Sequence, residues 1–325
     1  MGRTSVETSE QRVLAVDIGG TKLAVGVVDG EGRVLENLRA ATPRPGVTDG
    51  GEMIFRTLLA LVGELKTDPA DFAGVGVGCG GPMRWPQGEV SPLNIEAWRG
   101  FPLRARLSAA FPGVPVRVHN DAICLAVAEH WRGAGMNTED MLGMVVSTGV
   151  GGGLIVEGRL IDGRTGNAGH IGHVIVHSDE PLCACGAVGC LEAVASGPRL
   201  TGWAAEQGWR PGVTRAQRTG RDLVDDARRG HPIALKALSR AGRALGLAIA
   251  SATVLCDLEV VAIGGGLSQA GTLLFDPLEA TLRERVGLDF ARAVRVVPAA
   301  LGQESGLVGA AALIMHPERY WSPGD

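Results

Sequence analysis

Several groups of residues in this chain have types and spacing that could do chemistry. Asp17-Ile18-Gly19-Gly20-Thr21-Lys22 lies between two apolar runs. Glycines let a backbone approach an anion and turn its N–H groups toward it, and an acidic residue at a strand end can hold a magnesium ion through water. The plainer reading is a hairpin turn. Asp17 at the strand end, with Thr21-Lys22 after the glycines, favours a phosphate site made of Asp17, Gly19, Gly20, Thr21 and Lys22. Ser147-Thr148-Gly149-Val150-Gly151-Gly152-Gly153 repeats the hydroxyl-plus-glycine theme, with Thr148 and Gly149 as the candidate contacts. Gly264-Gly265-Gly266-Leu267-Ser268 sits between a strand and a helical pattern, where Gly265 and Gly266 could pass close to a nucleotide. Neither a Walker A pattern nor a clear G-x-G-x-x-G in a βαβ unit is present, so the argument rests on these turns jointly.

Asn120-Asp121 follows one strand pattern and precedes a helical one. Asn and Asp are favoured as helix N-caps because their side chains accept backbone N–H bonds, so a purely capping role is open. The chemical reading makes Asp121 a general base that takes a proton from a substrate hydroxyl, with Asn120 binding the same molecule.

Cys183-Ala184-Cys185-Gly186-Ala187-Val188-Gly189-Cys190 gives a C-x-C-x4-C spacing, with His173 upstream. Three thiolates and an imidazole, His173, Cys183, Cys185 and Cys190, make a closed tetrahedral set suited to structural zinc. The alternative is a loop of reduced thiols. Cys79, Cys124 and Cys256 lie in apolar segments and read as core residues.

These residues need strand ends to hold them. Val13–Val16, Leu23–Val28 and Val34–Leu38 read as strands, Ile54 to Leu65 as a helix, Val75–Val77 and Val114–Val118 as strands, and Ala122 to Trp131 as a helix. Met144–Ser147 and Gly153–Val156 flank the second glycine turn. A long helix near Ile233 to Leu255, a strand at Val260–Ile263 and a helix from Glu304 to Leu313 complete the pattern. Strands ending in glycine turns with helices between them indicate an α/β fold, and the segments opening at Asp17 and Gly149 look like a weak internal repeat. Hydrophobic residues make up 45% of the chain and charged ones 20%, enough apolar material for a sizeable core. The net charge of −4 carries no basic block, which argues against nucleic acid or an anionic membrane as partner. The polar N-terminus and the lack of a membrane-length apolar run point to a cytoplasmic protein.

The motifs Asp17 to Lys22, Asn120-Asp121, Gly166-Asn167-Ala168-Gly169-His170-Ile171-Gly172-His173 and the cysteine run through Glu192 resemble the ROK family (repressor, open reading frame, kinase). The resemblance spans Val13 to about Leu313. It implies an actin-like (RNase H-like) ATPase fold with two α/β domains flanking a cleft. The smaller domain would take 1–119 plus about 302–325, and the larger 120–301 with the zinc knuckle. It implies an ATP:hexose 6-phosphotransferase using magnesium with ATP, and a homodimer or tetramer. Asp121 would be the base for a sugar 6-hydroxyl, Asn94 and Asn120 would hold ring hydroxyls, and Glu192 would meet hydroxyls near the anomeric carbon. Structural zinc would position Glu192 and His170.

His170 departs from the glutamate that most glucokinases of this family carry there. Neutral histidine offers one donor and one acceptor where glutamate offers acceptors alone. N-acetylmannosamine kinases are similar to this chain at that point, so both glucose and N-acetylmannosamine stand as substrates. A kinase of a sugar-like cyclitol would keep every ATP feature, and a non-catalytic sugar sensor would not need Asp121. Polyphosphate is an alternative donor. The family's repressors carry a DNA-binding helix-turn-helix before the first phosphate motif, and the sixteen residues ahead of Asp17 are too few for one.

Overall fold

The computed structural model describes residues 11–43, 51–211 and 219–322. In chain order the elements that matter are β1 (Arg12–Ile18), β2 (Lys22–Asp29), β3 (Val34–Ala41), α1 (Glu52–Gly63), β4 (Phe72–Cys79), β5 (Val116–Asn120), α2 (Asp121–Arg132), β6 (Met141–Val146), β7 (Val150–Val156), α3 (Leu191–Ala195), α4 (Pro232–Cys256), β8 (Val260–Gly264), α5 (Thr272–Arg285), β9 (Arg295–Pro298) and α6 (Ser305–Met315). The chain divides into two compact units. One takes Met1–Met136, Gly158–Ala168 and Gln303–Asp325, and the other Asn137–Glu157 and Gly169–Gly302.

The first unit is built on a sheet of order β3-β2-β1-β4-β5. β1 to β3 form an antiparallel meander, and β4 and β5 run parallel to β1. The apolar runs predicted from sequence are long because β1, β2 and β4 are buried along nearly their whole length. Leu14, Val16, Val25, Val27, Val75 and Val77 form the core with Leu58 of α1 and the stacked pair Trp98 and Phe101, whose rings lie 4.4 Å apart. Parallel pairing sets Asp17 beside Gly78 and Cys79 beside Asn120. The carboxyl ends of β1, β4 and β5 therefore share one edge, the edge where open α/β sheets bind ligands.

α2 and residues 158–168 belong with the first unit. The reason is close packing by small residues: a Cβ at Gly309 of α6 would lie 1.7 Å from the Cys124 carbonyl oxygen of α2, and one at Gly76 of β4 would lie 1.9 Å from the Ala310 carbonyl oxygen. α2, α6 and β4 are thus locked together.

The second unit repeats the scheme. β6 and β7 form an antiparallel hairpin, β8 pairs parallel with β6, and β9 with β8. Val145 pairs with Gly264 and Val146 with Val150, so the Ser147–Gly149 turn and the Gly264–Gly266 turn leave the sheet at one edge. α4 covers this sheet and packs tightly on α5. A Cβ at Gly242 or Gly246 would lie 2.6 Å from the Leu274 or Leu278 carbonyl oxygen. Among the described residues no helix is long and apolar enough to cross a membrane.

Candidate functional site

In the first unit the site is assembled at the edge where β1, β4 and β5 end. The turn after β1 is tight: Gly19 N–H donates to the Lys22 carbonyl at 2.9 Å, and Thr42 Oγ donates to the Gly19 carbonyl at 2.6 Å, tying the turn to the end of β3. Asp17 lies at the base of this turn. A Cβ at Gly306, near the start of α6, would come within 2.8 Å of the Asp17 carboxyl carbon, so the helix start approaches the acid closely. Burial pushes the Asp17 carboxyl up to about 6, with the Asp121 charge adding to the rise and Lys22 and Arg39 opposing it. The charge of Asp121 is thus felt at Asp17.

Asn120, not Asp121, caps α2. The Asn120 side chain accepts the Ala122 N–H at 2.9 Å, and Asp121 is the first helical residue. One Asp121 oxygen, Oδ1, also accepts the Ala122 N–H at 2.9 Å. The other faces the loop after β4: a Cβ at Gly80 would lie 4.0 Å from Asp121 Oδ2 and 3.6 Å from Asn94 Oδ1. A Cβ at Gly81 would lie 3.1 Å from Asn120 Nδ2, and one at Gly20 would collide with the Asn94 side chain at 2.7 Å. Asn94, Asn120 and Asp121 are therefore gathered around bare glycine backbone next to the Gly19-Gly20 turn. Burial raises the Asp121 carboxyl above the usual range, against the lowering effect of the N–H groups of Ala122 and Asp121 itself. The thiols of Cys79 and Cys124 beneath these acids are buried and pushed well above their ordinary value, first by burial and then by the two carboxylates, so they are inert core groups.

In the second unit the Thr148–Gly149 turn is closed by Ser147 N–H donating to the Gly149 carbonyl at 2.9 Å, and Gly197 N–H donates to the Ser147 carbonyl at 2.8 Å. Gly265 adopts φ 92°, open to glycine, where a Cβ would strike the Val146 carbonyl oxygen at 2.4 Å. Gly266 lies beside Ser147, 3.8 Å from its Oγ to an added Cβ. The two glycine turns of this unit are thus neighbours, as their expected shared role requires. Glu192 accepts the Val150 N–H at 2.9 Å through Oε2, bracing the Thr148–Gly149 turn from α3. Thr148, Glu192, Ser196 and Arg199 line a cavity of about 160 Å³ together with Cys183 of the knuckle.

The ligating atoms of His173, Cys183, Cys185 and Cys190 all lie within 4.8 Å of one another. Cys185 Sγ and Cys190 Sγ are 3.7 Å apart, and Cys183 Sγ and His173 Nδ1 are 3.8 Å apart. Ligands about 2.3 Å from a tetrahedral zinc ion sit about 3.8 Å from each other, so donor chemistry and spacing both fit that ion. Cys190 immediately precedes α3 and Glu192, and the His170 ring lies 6.3 Å from that of His173. A metal held here would anchor both.

Of the residues singled out from sequence, Asp17, Gly19, Gly20, Thr21, Lys22, Asn94, Asn120 and Asp121 fall in the first unit and Thr148, Gly149, His170, Glu192, Gly265, Gly266 and the metal set in the second. Sequence reasoning passed over Gly80 and Gly81. Their signal was available, since they follow an apolar strand in the same way as the glycine turns that were chosen. Thr42, which ties down the phosphate turn, carries no local signal.

The chain belongs to the ROK family, whose model matches residues 13–316. It is 33% identical over 314 residues to a glucokinase of Thermotoga maritima, covering 93% of this chain and 97% of that one. It is 34% identical over 298 residues to an N-acetylmannosamine kinase of Yersinia pestis, covering 92% and 96%. Its structure resembles that of a ROK family glucokinase from Streptomyces griseus in complex with glucose and AMPPNP, with a TM-score of 0.79, 34% identity, and coverage of 93% of this chain and 98% of that one. With both sheets arranged as described, the fold is that of the actin-like ATPases.

Proposed function

We propose that this protein is an ATP-dependent hexose kinase that transfers the γ-phosphoryl group of ATP to the 6-hydroxyl of its sugar. The observation that carries this reading is Asp121: a half-buried carboxylate with one oxygen fixed by a backbone N–H and the other facing the Gly80 loop, close to Asn94 and to the Asp17–Lys22 turn. In the reaction the sugar oxygen forms a bond to the γ-phosphorus, the bond from that phosphorus to the bridging oxygen of ADP breaks, and the hydroxyl proton passes to Asp121. Asn94 and Asn120 orient the sugar. Asp17 would hold the magnesium of Mg-ATP through water, and the backbone of the glycine turns would bind the phosphates. Zinc is the metal that best suits the knuckle, where it would be structural and hold the loop that carries Glu192 and His170. The protein would work in the cytoplasm, and by analogy with its family as a dimer or tetramer.

The sugar is read at His170. The glucokinase relatives favour glucose, and the N-acetylmannosamine kinase relatives favour N-acetylmannosamine. Coupled ADP release with Mg-ATP should be measured against glucose, mannose, N-acetylmannosamine, N-acetylglucosamine, fructose and allose. Strong turnover of glucose makes His170 a tolerated replacement, and selective turnover of N-acetylmannosamine makes it the specificity marker. No turnover of any hexose would contradict the proposal and leave a cyclitol kinase or a sensor.

The metal is tested separately. Cys185→Ser should expel bound zinc and lower the melting temperature. Full zinc content with unchanged melting would remove Cys185 from the ligand set.

A further inference from the structure

We propose that Asp162 is a positioning residue for the strand end that carries Asn120 and Asp121, and that it acts by fixing the tautomer of His119. This rests on the reading of Asp121 as the base. His119 is the penultimate residue of β5, and its side chain is completely buried. The backbone N–H of Asn120 donates to His119 Nδ1 at 2.8 Å. A ring nitrogen that accepts a hydrogen bond carries no proton, so the ring proton is on Nε2. That nitrogen lies 2.8 Å from Oδ1 of Asp162, which as a carboxylate can only accept. One species satisfies both contacts, the neutral ring with Nε2–H. An imidazolium or the opposite tautomer would set an Nδ1–H against the Asn120 N–H.

Two aromatic rings pack against the imidazole. Trp85 lies 5.8 Å from it and Trp321 meets it edge-on at 6.1 Å. Asp162 is itself buried and held in place: its backbone carbonyl accepts the Ala168 N–H at 3.1 Å, and its second carboxylate oxygen accepts the Ser322 N–H at 3.4 Å. Asp162 lies on 158–168, the segment by which the chain returns to the first unit. The bond it controls is made by the peptide that joins His119 to Asn120, so the orientation of the cap and of the acid after it depends on that peptide's direction. In a dry setting such a chain of hydrogen bonds is strong when complete and costly when one member is wrong.

The test is Asp162→Asn. The amide has a donor as well as an acceptor, so it removes the constraint that only a carboxylate imposes: its NH₂ can face Nε2, which permits the Nδ1–H tautomer and turns it against the Asn120 N–H. Misplacement of a reacting group by about 1 Å can cost ~10²-fold, so kcat should fall by roughly 10²-fold with the KM for ATP unchanged and the protein folded. Nitrogen-15 NMR of the imidazoles should show His119 as the Nε2–H tautomer in the unaltered protein and a loss of that state in the variant. Retention of the Nε2–H state in the folded Asp162→Asn protein, or its loss with undiminished kcat, would overturn the proposal. So would an Nδ1–H or doubly protonated His119 in the unaltered protein, a measurement that needs no stable variant. Because the tautomer is read without turnover, this failure is distinct from a failure of Asp121 as the base.

Discussion

Asp121→Asn should lower kcat by roughly 10²–10⁴-fold, the usual contribution of a general base, while leaving the KM for sugar and ATP close to that of the unaltered enzyme. The substitution is mild for the fold. An amide oxygen still accepts the Ala122 N–H that Asp121 Oδ1 accepts at 2.9 Å, and the cap of α2 is supplied by Asn120. What is lost is the ability to take a proton. A loss confined to kcat is the signature of a group that acts in the transition state and not in ground-state binding. Steady-state kinetics decide it: unchanged turnover would reduce Asp121 to the first residue of a helix.

Asp17→Asn should lower kcat by about 10²–10³-fold, the scale on which single charge-stabilising groups act in phosphoryl and acyl transfer, and should raise the magnesium concentration needed for half-maximal rate. The same residue makes a pH prediction whose sign is unusual for an acid. Its carboxyl is raised from 3.8 to about 6, chiefly by burial. Between those two pH values the folded chain keeps a proton that the unfolded chain has lost, so this group's contribution to stability falls as pH rises through the window. A shift of that size corresponds to at most about 3 kcal/mol. Other carboxylates titrate in the same range, so the quantity to measure is the difference in unfolding free energy between Asp17→Asn and the unaltered protein, without nucleotide or magnesium. The variant should gain on the parent from about pH 4 to above 6. A difference that is flat with pH would mean that Asp17 is ionised in the folded protein throughout.

The legible parts of the molecule were those whose signal is local. The hairpin of β1 and β2 shows as apolar runs broken at Asp17–Lys22, and α4 shows as a long helical pattern that runs one residue further at each end than the sequence implied. The metal set was readable because Cys183, Cys185 and Cys190 lie so near each other that only His173 had to be found at a distance. Asn120 and Asp121 were ambiguous for a physical reason. A cap and a first-turn acid draw on the same residue types, and only packing beside Asn94 and Gly80 separates them. Asp162 was invisible, since its role depends on a return of the chain that has no periodicity of its own. The place of α2 in the first unit has no local signal for a related reason: Gly309 of α6 meets α2 and Gly76 of β4 meets α6, contacts between residues far apart in sequence.

The most direct test of the central claim is to follow the reaction of Mg-ATP with glucose and with N-acetylmannosamine by phosphorus-31 NMR. The γ-phosphate signal should be replaced by that of a sugar 6-phosphate in step with ADP, and Asp121→Asn should slow the conversion by roughly 10²–10⁴-fold. ATP left intact, or split to ADP and free phosphate with no sugar ester, would contradict the claim.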